Sequence, residues 1–234
     1  VYEAVASVLR SANIAYVKWD MNRQLTDLGS SFLDEQHQGE LMHRYVLGVY
    51  ELQERLMTEF PDLLLENCSG GGARFDPGML YYSPQIWCSD DTDAIERLKI
   101  QEGTALIYPL STMGAHVSDC PNHTVGRVTP FATRGNVALA GTFGYELDLN
   151  QLDQNEKEKV AEQVKAYKEY QELIYGGKYY RLSNPKKDDL AAWEFISEDC
   201  SKILVQGVAF RAASNVLRHR IKLLGVDATA IYRF

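Results

Sequence analysis

The chain has 234 residues, of which 45% are hydrophobic and 24% charged, so it can bury a core and is not intrinsically disordered. Its net charge of −8, without a dense run of Lys and Arg, excludes a general nucleic-acid binder, and we expect no nucleic-acid partner. No apolar stretch approaches the roughly 20 residues that span a bilayer, so we expect no membrane partner.

The first 175 residues predict helices that alternate with strands. Apolar residues at helical spacing predict helices over 1–12, 40–60, 93–101, 129–135 and 155–175. Short, continuously apolar runs predict five strands, over 14–19, 63–67, 84–89, 104–110 and 137–143. Strands of this kind between helices are typical of an α/β fold with a parallel sheet whose faces are covered by helices.

The pattern changes near residue 176. Short β-prone runs separated by turn residues follow, at 179–184, 191–197, 202–210, 219–224 and 228–234. Strands without helices between them predict the start of an antiparallel sandwich or barrel. We therefore expect two domains, 1–176 and 177–234. The chain begins with Val1 inside a helical pattern and ends at Phe234 inside a β pattern, which is typical of a piece of a longer protein.

Four cysteines lie far apart and match no metal-site spacing: Cys68, Cys88, Cys120 and Cys200. We expect free thiols in a reducing compartment, and therefore a cytoplasmic protein. The cluster His116, Asp119 and His123 also fits no standard ligand spacing. We expect neither a metal nor a cofactor.

Polar side chains follow three of the predicted strands. KWDMNR (18–23) follows the first, ENCSGGGARFD (66–76) the second and WCSDDTD (87–93) the third. Active sites of parallel α/β folds form at the carboxyl ends of several strands. Carboxylates dominate these segments, without an evident pairing of a nucleophile with a base. Two carboxylates on separate strands favour glycoside chemistry, in which one is the nucleophile and the other the general acid/base.

Lys18 and Asp20 are two residues apart, so on a strand they share one face, and Trp19 points to the other. A lysine beside an aspartate favours its ionised form, which a nucleophile needs. A structural ion pair between Lys18 and Asp20 explains the same spacing equally well.

Structural alternatives also exist for the other two segments. Arg74 and Asp76 are candidates for an ion pair that holds their loop. One residue of 89–92 is expected to cap the helix that follows. The glycines 70–72 on their own are typical of a turn or a phosphate cradle, and Cys68 of a small buried residue.

YVKWDMNR (16–23) and ENCSGGGARFDPGMLYYSPQIWCSDDTDAIERL (66–98) resemble the catalytic region of α-galactosidases of glycoside hydrolase family 36. The resemblance extends over residues 1–175, and the β segment after it is similar to the start of that family's C-terminal domain. It implies an α/β fold, a (β/α)8 TIM barrel of which only strands 4–8 are present. Part of an antiparallel β-sandwich domain would follow.

The resemblance also implies roles for single residues. Asp20 would be the nucleophile, and Asp90 rather than Asp91 the general acid/base. The remaining implied residues would bind the substrate, through polar groups or an apolar ring: Lys18, Asn22, Cys68, Gly70, Gly71 and Trp87.

The implied activity is that of a retaining exo-α-galactosidase, which releases α-1,6-linked galactose from oligosaccharides such as melibiose and raffinose. A galactosyl transferase similar to raffinose synthase would use the same residues. An incomplete, inactive sugar-binding fragment is the alternative from another class, because the barrel lacks strands. The full-length protein would be a homo-oligomer.

Overall fold

The computed structural model describes residues 1–22, 25–211, 214 and 219–233. The chain forms two compact units, Val1–Asp90 and Asp91–Phe234. This division differs from the domain boundary that we expect at residue 176, which stays a prediction.

The first unit is a small parallel sheet with helices. Its elements are α1 (Tyr2–Ser11), β1 (Tyr16–Asp20), α2 (Leu41–Glu59), β2 (Leu64–Cys68), α3 (Pro77–Tyr82) and β3 (Gln85–Ile86), with a 3-10 turn over Gln38–Glu40. The strands pair in the order β1-β2-β3, all parallel. The predicted parallel pairing of these three strands is therefore confirmed, and their carboxyl ends lie at one edge.

The two faces of β1 differ. Val17 and Trp19 pack against a cluster formed by Leu9, Leu56 and Leu63 of α1, α2 and the turn before β2. The opposite face carries Tyr16, Lys18 and Asp20, and these side chains are exposed. The prediction that Trp19 points away from Lys18 and Asp20 is confirmed. The expectation of a strand covered on both faces is wrong for β1 in this unit.

The second unit begins with an α/β segment. It contains α4 (Ala94–Thr104), β4 (Gly114–Ser118), α5 (Phe131–Ala138), β5 (Thr142–Glu146) and α6 (Gln154–Gly176), with 3-10 turns over Leu110–Thr112 and Leu149–Gln151. β4 and β5 pair in parallel. Val117 of β4 packs against Phe131 and Ala138 of α5, and Phe143 and Tyr145 of β5 extend this cluster.

The second unit ends in an antiparallel sheet. Its strands are β6 (Lys178–Arg181), β7 (Leu190–Ile196) and β8 (Ile203–Ala209), paired in that order. The predicted change from parallel to antiparallel pairing after residue 176 is therefore confirmed. Residues 219–224 and 228–233 form no strand, contrary to prediction, and Phe234 lies outside the described residues.

Two predicted strands of the second unit are misplaced. The run 104–110 is the end of α4 followed by turns, and the strand occurs instead at Gly114–Ser118. The run 137–143 begins in α5, and β5 starts at Thr142. A short apolar run does not by itself distinguish a strand from a helix end or a turn, and Pro109 has no N–H to donate to a strand ladder. In the described part of the chain, no helix is long and apolar enough to cross a membrane.

Candidate active site

The carboxyl ends of the three strands of the first unit bring the candidate residues together. Asp20, the last residue of β1, lies opposite Cys68, the last residue of β2. Beyond β3, the Trp87 N–H donates to the Asn67 carbonyl at 2.9 Å, so the chain follows β2 toward Asp90. The structure therefore brings Asp20, Cys68 and the segment 87–90 to one edge of the sheet, as predicted.

Asn22 connects Asp20 to the glycine-rich loop. Its amide nitrogen donates to Asp20 Oδ2 at 3.1 Å, and its Oδ1 accepts the Gly70 N–H. The loop is fixed further because the Ser69 hydroxyl donates to the Met21 carbonyl at 2.9 Å. Asn22 thus orients the Asp20 carboxylate with an uncharged donor.

The Cys68 thiol lies near both candidate carboxylates. Burial raises its pKa to about 11, the Gly71 N–H acts in the opposite direction, and the hydrogen bond and charge of Asp20 and the charge of Asp90 raise it further. The thiol is therefore protonated at neutral pH and can donate a hydrogen bond. Asp20 is also the register partner of Cys68, so the thiol and this aspartate lie at the same edge of the sheet.

The glycine-rich loop approaches the backbone that leads to Asp90. Gly71 has a φ of +76°, and a Cβ at this position would lie 2.8 Å from Ser89 Cα and 2.9 Å from the Asp90 nitrogen. A Cβ at Gly72 would lie 2.6 Å from the Cys88 carbonyl oxygen. Glycine is favoured at both positions because a side chain would force the two segments apart.

Lys18 has a different partner from the one predicted. Its ammonium forms an ion pair with Glu66 at 3.8 Å, whereas the polar partner of Asp20 is Asn22. The alternative interpretation, a structural ion pair between Lys18 and Asp20, is therefore wrong. The same ammonium lies 4.8 Å from the centre of the Trp87 ring, so Lys18 and Trp87 belong to one cluster.

Asp93 caps α4, and the prediction that a residue of 89–92 does so is wrong. Its Oδ2 accepts the Ile95 N–H at 3.1 Å and the Glu96 N–H at 3.0 Å. Asp93 is buried and pairs with Arg127.

The two preceding aspartates have different surroundings. Asp91 Oδ1 accepts the Asp93 N–H at 3.0 Å. Asp91 therefore supports this turn within the second unit, whereas Asp90 is exposed at the end of the first.

The loop after Gly72 is not held by the proposed pairing of Arg74 with Asp76. Arg74 donates to the Tyr45 hydroxyl at 3.1 Å. Asp76 instead caps α3, accepting the Gly78 and Met79 N–H groups at 2.8 and 3.0 Å.

Glu66 is not among the predicted site residues, but it lies beside Lys18 and is almost fully buried. The available signal was an acid inside the apolar strand LLLEN. No group of three or more His, Cys, Asp or Glu within the described ranges is arranged to hold a metal ion.

Comparison with known proteins identifies the family of this chain. Residues 1–177 match the Melibiase family. The chain belongs to the Melibiase family. Among its relatives, α-galactosidase AgaA of Geobacillus stearothermophilus is 50% identical over 99% of this chain and 32% of its own length. The bifunctional α-galactosidase/sucrose kinase AgaSK of Mediterraneibacter gnavus is 52% identical over 99% of this chain and 24% of its own length.

Solved structures of Melibiase relatives have the same fold. The crystal structure of the GH36 α-galactosidase AgaA has a TM-score of 0.94 and 51% identity, over 97% of this chain and 32% of AgaA. Variants of AgaA have been crystallised with raffinose and with stachyose. The chain spans a third or less of the length of these curated relatives.

Proposed function

We propose that the full-length protein containing this chain is a retaining exo-α-galactosidase. It would release terminal α-1,6-linked galactose from oligosaccharides such as melibiose and raffinose. The observation that carries the proposal is that Asp20 pairs with Cys68 at the carboxyl edge of one parallel sheet, where the glycine-rich loop that follows Cys68 closely approaches the backbone of Asp90. Two carboxylates around one pocket are the machinery of glycoside hydrolysis.

Each residue has a role in this mechanism. The Asp20 carboxylate attacks the anomeric carbon while the bond to the leaving oxygen breaks and Asp90 gives that oxygen a proton. Asp90, now ionised, takes a proton from water, which attacks the anomeric carbon and frees Asp20. Asn22 holds Asp20 in place through its 3.1 Å hydrogen bond. The groups proposed to bind sugar hydroxyls are Lys18, Asn22, Cys68 and the backbone of Gly70 and Gly71. Trp87, whose ring lies 4.8 Å from the Lys18 ammonium, is proposed to supply an apolar face.

The AgaA complexes support these assignments. The variant bound to raffinose carries an Asp→Asn substitution, and the variant bound to stachyose carries an Asp→Ala substitution. These two aspartates are separated along AgaA by the same number of residues as Asp20 and Asp90 here. The spacing supports Asp90 rather than Asp91 as the second acid.

The architecture of the whole protein belongs to the same proposal. β1–β5 would be strands 4–8 of a (β/α)8 barrel, and β6–β8 would be part of the following β domain. The exposed face of β1 would line the barrel once the other strands are present. We also propose that the full-length protein is a cytoplasmic homo-oligomer.

Azide rescue in the full-length protein tests both aspartates. Asp20→Gly should abolish hydrolysis of an aryl α-galactoside, and azide should restore turnover with β-galactosyl azide as product, because azide then replaces the nucleophile. Asp90→Gly should give α-galactosyl azide, because azide attacks the galactosyl–Asp20 intermediate. Asp91→Asn keeps the acceptor for the Asp93 N–H and should retain activity. Wild-type activity in Asp20→Gly, or the same anomer from both variants, would refute the proposal.

Two further measurements define the reaction. Incubation with raffinose, with and without an acceptor sugar, separates hydrolysis from transfer: free galactose as the main product supports the proposal, and a galactosylated acceptor supports a transferase. The isolated 234 residues are expected to be inactive, and their turnover of an aryl α-galactoside would contradict that expectation.

A further inference from the structure

Glu66 lies at the centre of a charged cluster within the sheet of the first unit. It lies directly opposite Lys18 in the β1–β2 register and is only 1% exposed. Its carboxylate forms an ion pair with the Lys18 ammonium at 3.8 Å. Burying a carboxylate is unfavourable unless charge and hydrogen bonds compensate it, so its place in an apolar strand requires an explanation.

Two side chains fix the orientation of this carboxylate. The Tyr16 hydroxyl of β1 and the Gln85 side-chain amide of β3 both donate to Glu66 Oε2, the second at 2.9 Å. Gln85 is also the register partner of Glu66. The carboxylate is therefore held from both neighbouring strands and directs Oε1 toward Lys18.

Lys18 is held from a second side by Trp87. Its ammonium lies 4.8 Å from the centre of the indole ring, a favourable cation–π arrangement. The Lys18 side chain is still 33% exposed, so a ligand can reach it. An ammonium has three donors, and contacts with Glu66 and Trp87 leave it able to bind a hydroxyl.

We infer that Glu66 is a positioning residue that holds the Lys18 ammonium over Trp87 so that it donates to a hydroxyl of the bound galactoside. This inference rests on the proposed function. Glu66 itself is not expected to contact the sugar, because it is almost fully buried, so it acts through its strand neighbour Lys18. The role of Lys18 is therefore to bind the sugar in a fixed geometry, with its charge balanced by Glu66.

The test compares Glu66→Gln with matched variants in the full-length protein. Gln keeps the shape of Glu and an acceptor for Tyr16 and Gln85, but it removes the charge that holds Lys18. We expect KM for an aryl α-galactoside to rise about tenfold, the effect of one charge-assisted hydrogen bond, with a smaller change in kcat. Glu194, also fully buried in a strand, provides the control, and Glu194→Gln should leave KM unchanged.

A double-mutant cycle separates positioning from a structural effect. If Glu66 acts through Lys18, Lys18→Met combined with Glu66→Gln should raise KM no more than Lys18→Met alone. Additive effects, or an unchanged KM in Glu66→Gln, would overturn the inference. Should Glu66→Gln fail to fold, Tyr16→Phe removes one donor and should raise KM about twofold to fivefold. No increase in that variant would also overturn it.

A crystal structure of Glu66→Gln tests the inference independently of activity. We expect the Lys18 ammonium to leave its place 4.8 Å from the Trp87 ring centre. An unmoved lysine would overturn the inference even if the enzyme is an α-galactosidase. Failure of the wild-type protein to hydrolyse any α-galactoside would instead refute the proposed function, whatever position Lys18 takes.

Discussion

Gly71→Ala should displace Asp90, the proposed general acid/base, through a shift of the backbone. A Cβ at Gly71 would lie 2.8 Å from Ser89 Cα and must reach about 3.4 Å for a tolerable contact, so the Asp90 segment has to move by roughly 0.6 Å. The φ of +76° adds about 1–2 kcal/mol of strain for any L-residue. A shift of about 1 Å at a catalytic group can reduce the rate about 100-fold, so we expect kcat to fall at least tenfold.

Gly70→Ala is the matched comparison for this substitution. Gly70 also has a positive φ, +53°, but the nearest atom to its Cβ would be Asn22 Oδ1 at 3.9 Å. Both variants should therefore lose stability from backbone strain, measured by thermal unfolding of the full-length protein. Only Gly71→Ala should also show the large loss of kcat on an aryl α-galactoside. Equal kcat values for the two variants would refute the reasoning that Gly71 sets the position of Asp90.

Three further predictions concern single groups. Alkylation of Cys68 by iodoacetamide, measured by peptide mass spectrometry, should be slow at pH 8 and accelerate toward pH 11. The reason is that burial raises the pKa of the thiol to about 11 and only the thiolate reacts. Rapid alkylation at pH 8 would contradict this prediction. Asp93→Ala should lower the free energy of unfolding in urea by about 1–2 kcal/mol from the lost helix cap. The loss should be larger still because Arg127 keeps only Glu96 of its two acidic partners. Asp93→Asn should retain the cap, and equal losses in the two variants would exclude capping. Burial raises the pKa of Glu194 above its usual 4.5, although the hydrogen bond from the Leu224 N–H opposes this shift. The contribution of Glu194 to stability is therefore complete below pH 4.5 and is lost as pH rises through the raised pKa. The Tm of Glu194→Gln relative to wild type should increase from pH 4 to pH 7, and a constant difference in Tm would contradict the assignment.

The periodicity of apolar residues predicts most of the fold. It places α2 and α6 almost to the residue and distinguishes the parallel β1–β3 from the antiparallel β6–β8. It fails at 104–110, where an apolar run ends a helix and Leu106 and Ile107 are exposed. Which apolar runs become strands depends on packing against distant residues, and a local window does not contain that information.

The sequence likewise predicts only part of the candidate site. The polar segments after the first three strands are visible in the sequence, and their meeting follows from parallel pairing. The pairing of Lys18 with Glu66 depends on the register between β1 and β2, which a single strand cannot reveal. The capping of α4 by Asp93 was missed because four adjacent polar residues offered equivalent caps in the sequence.

The most direct test of the central claim is the position of a trapped sugar. The full-length protein would be treated with a 5-fluoro-α-galactosyl fluoride, which slows release of a covalent intermediate, and then digested and mapped by mass spectrometry. We predict that the label is on the peptide with KWDMN, on Asp20, and that Asp20→Gly abolishes it. A label on any other residue, or none during observed turnover, would contradict the assignment of Asp20 as the nucleophile.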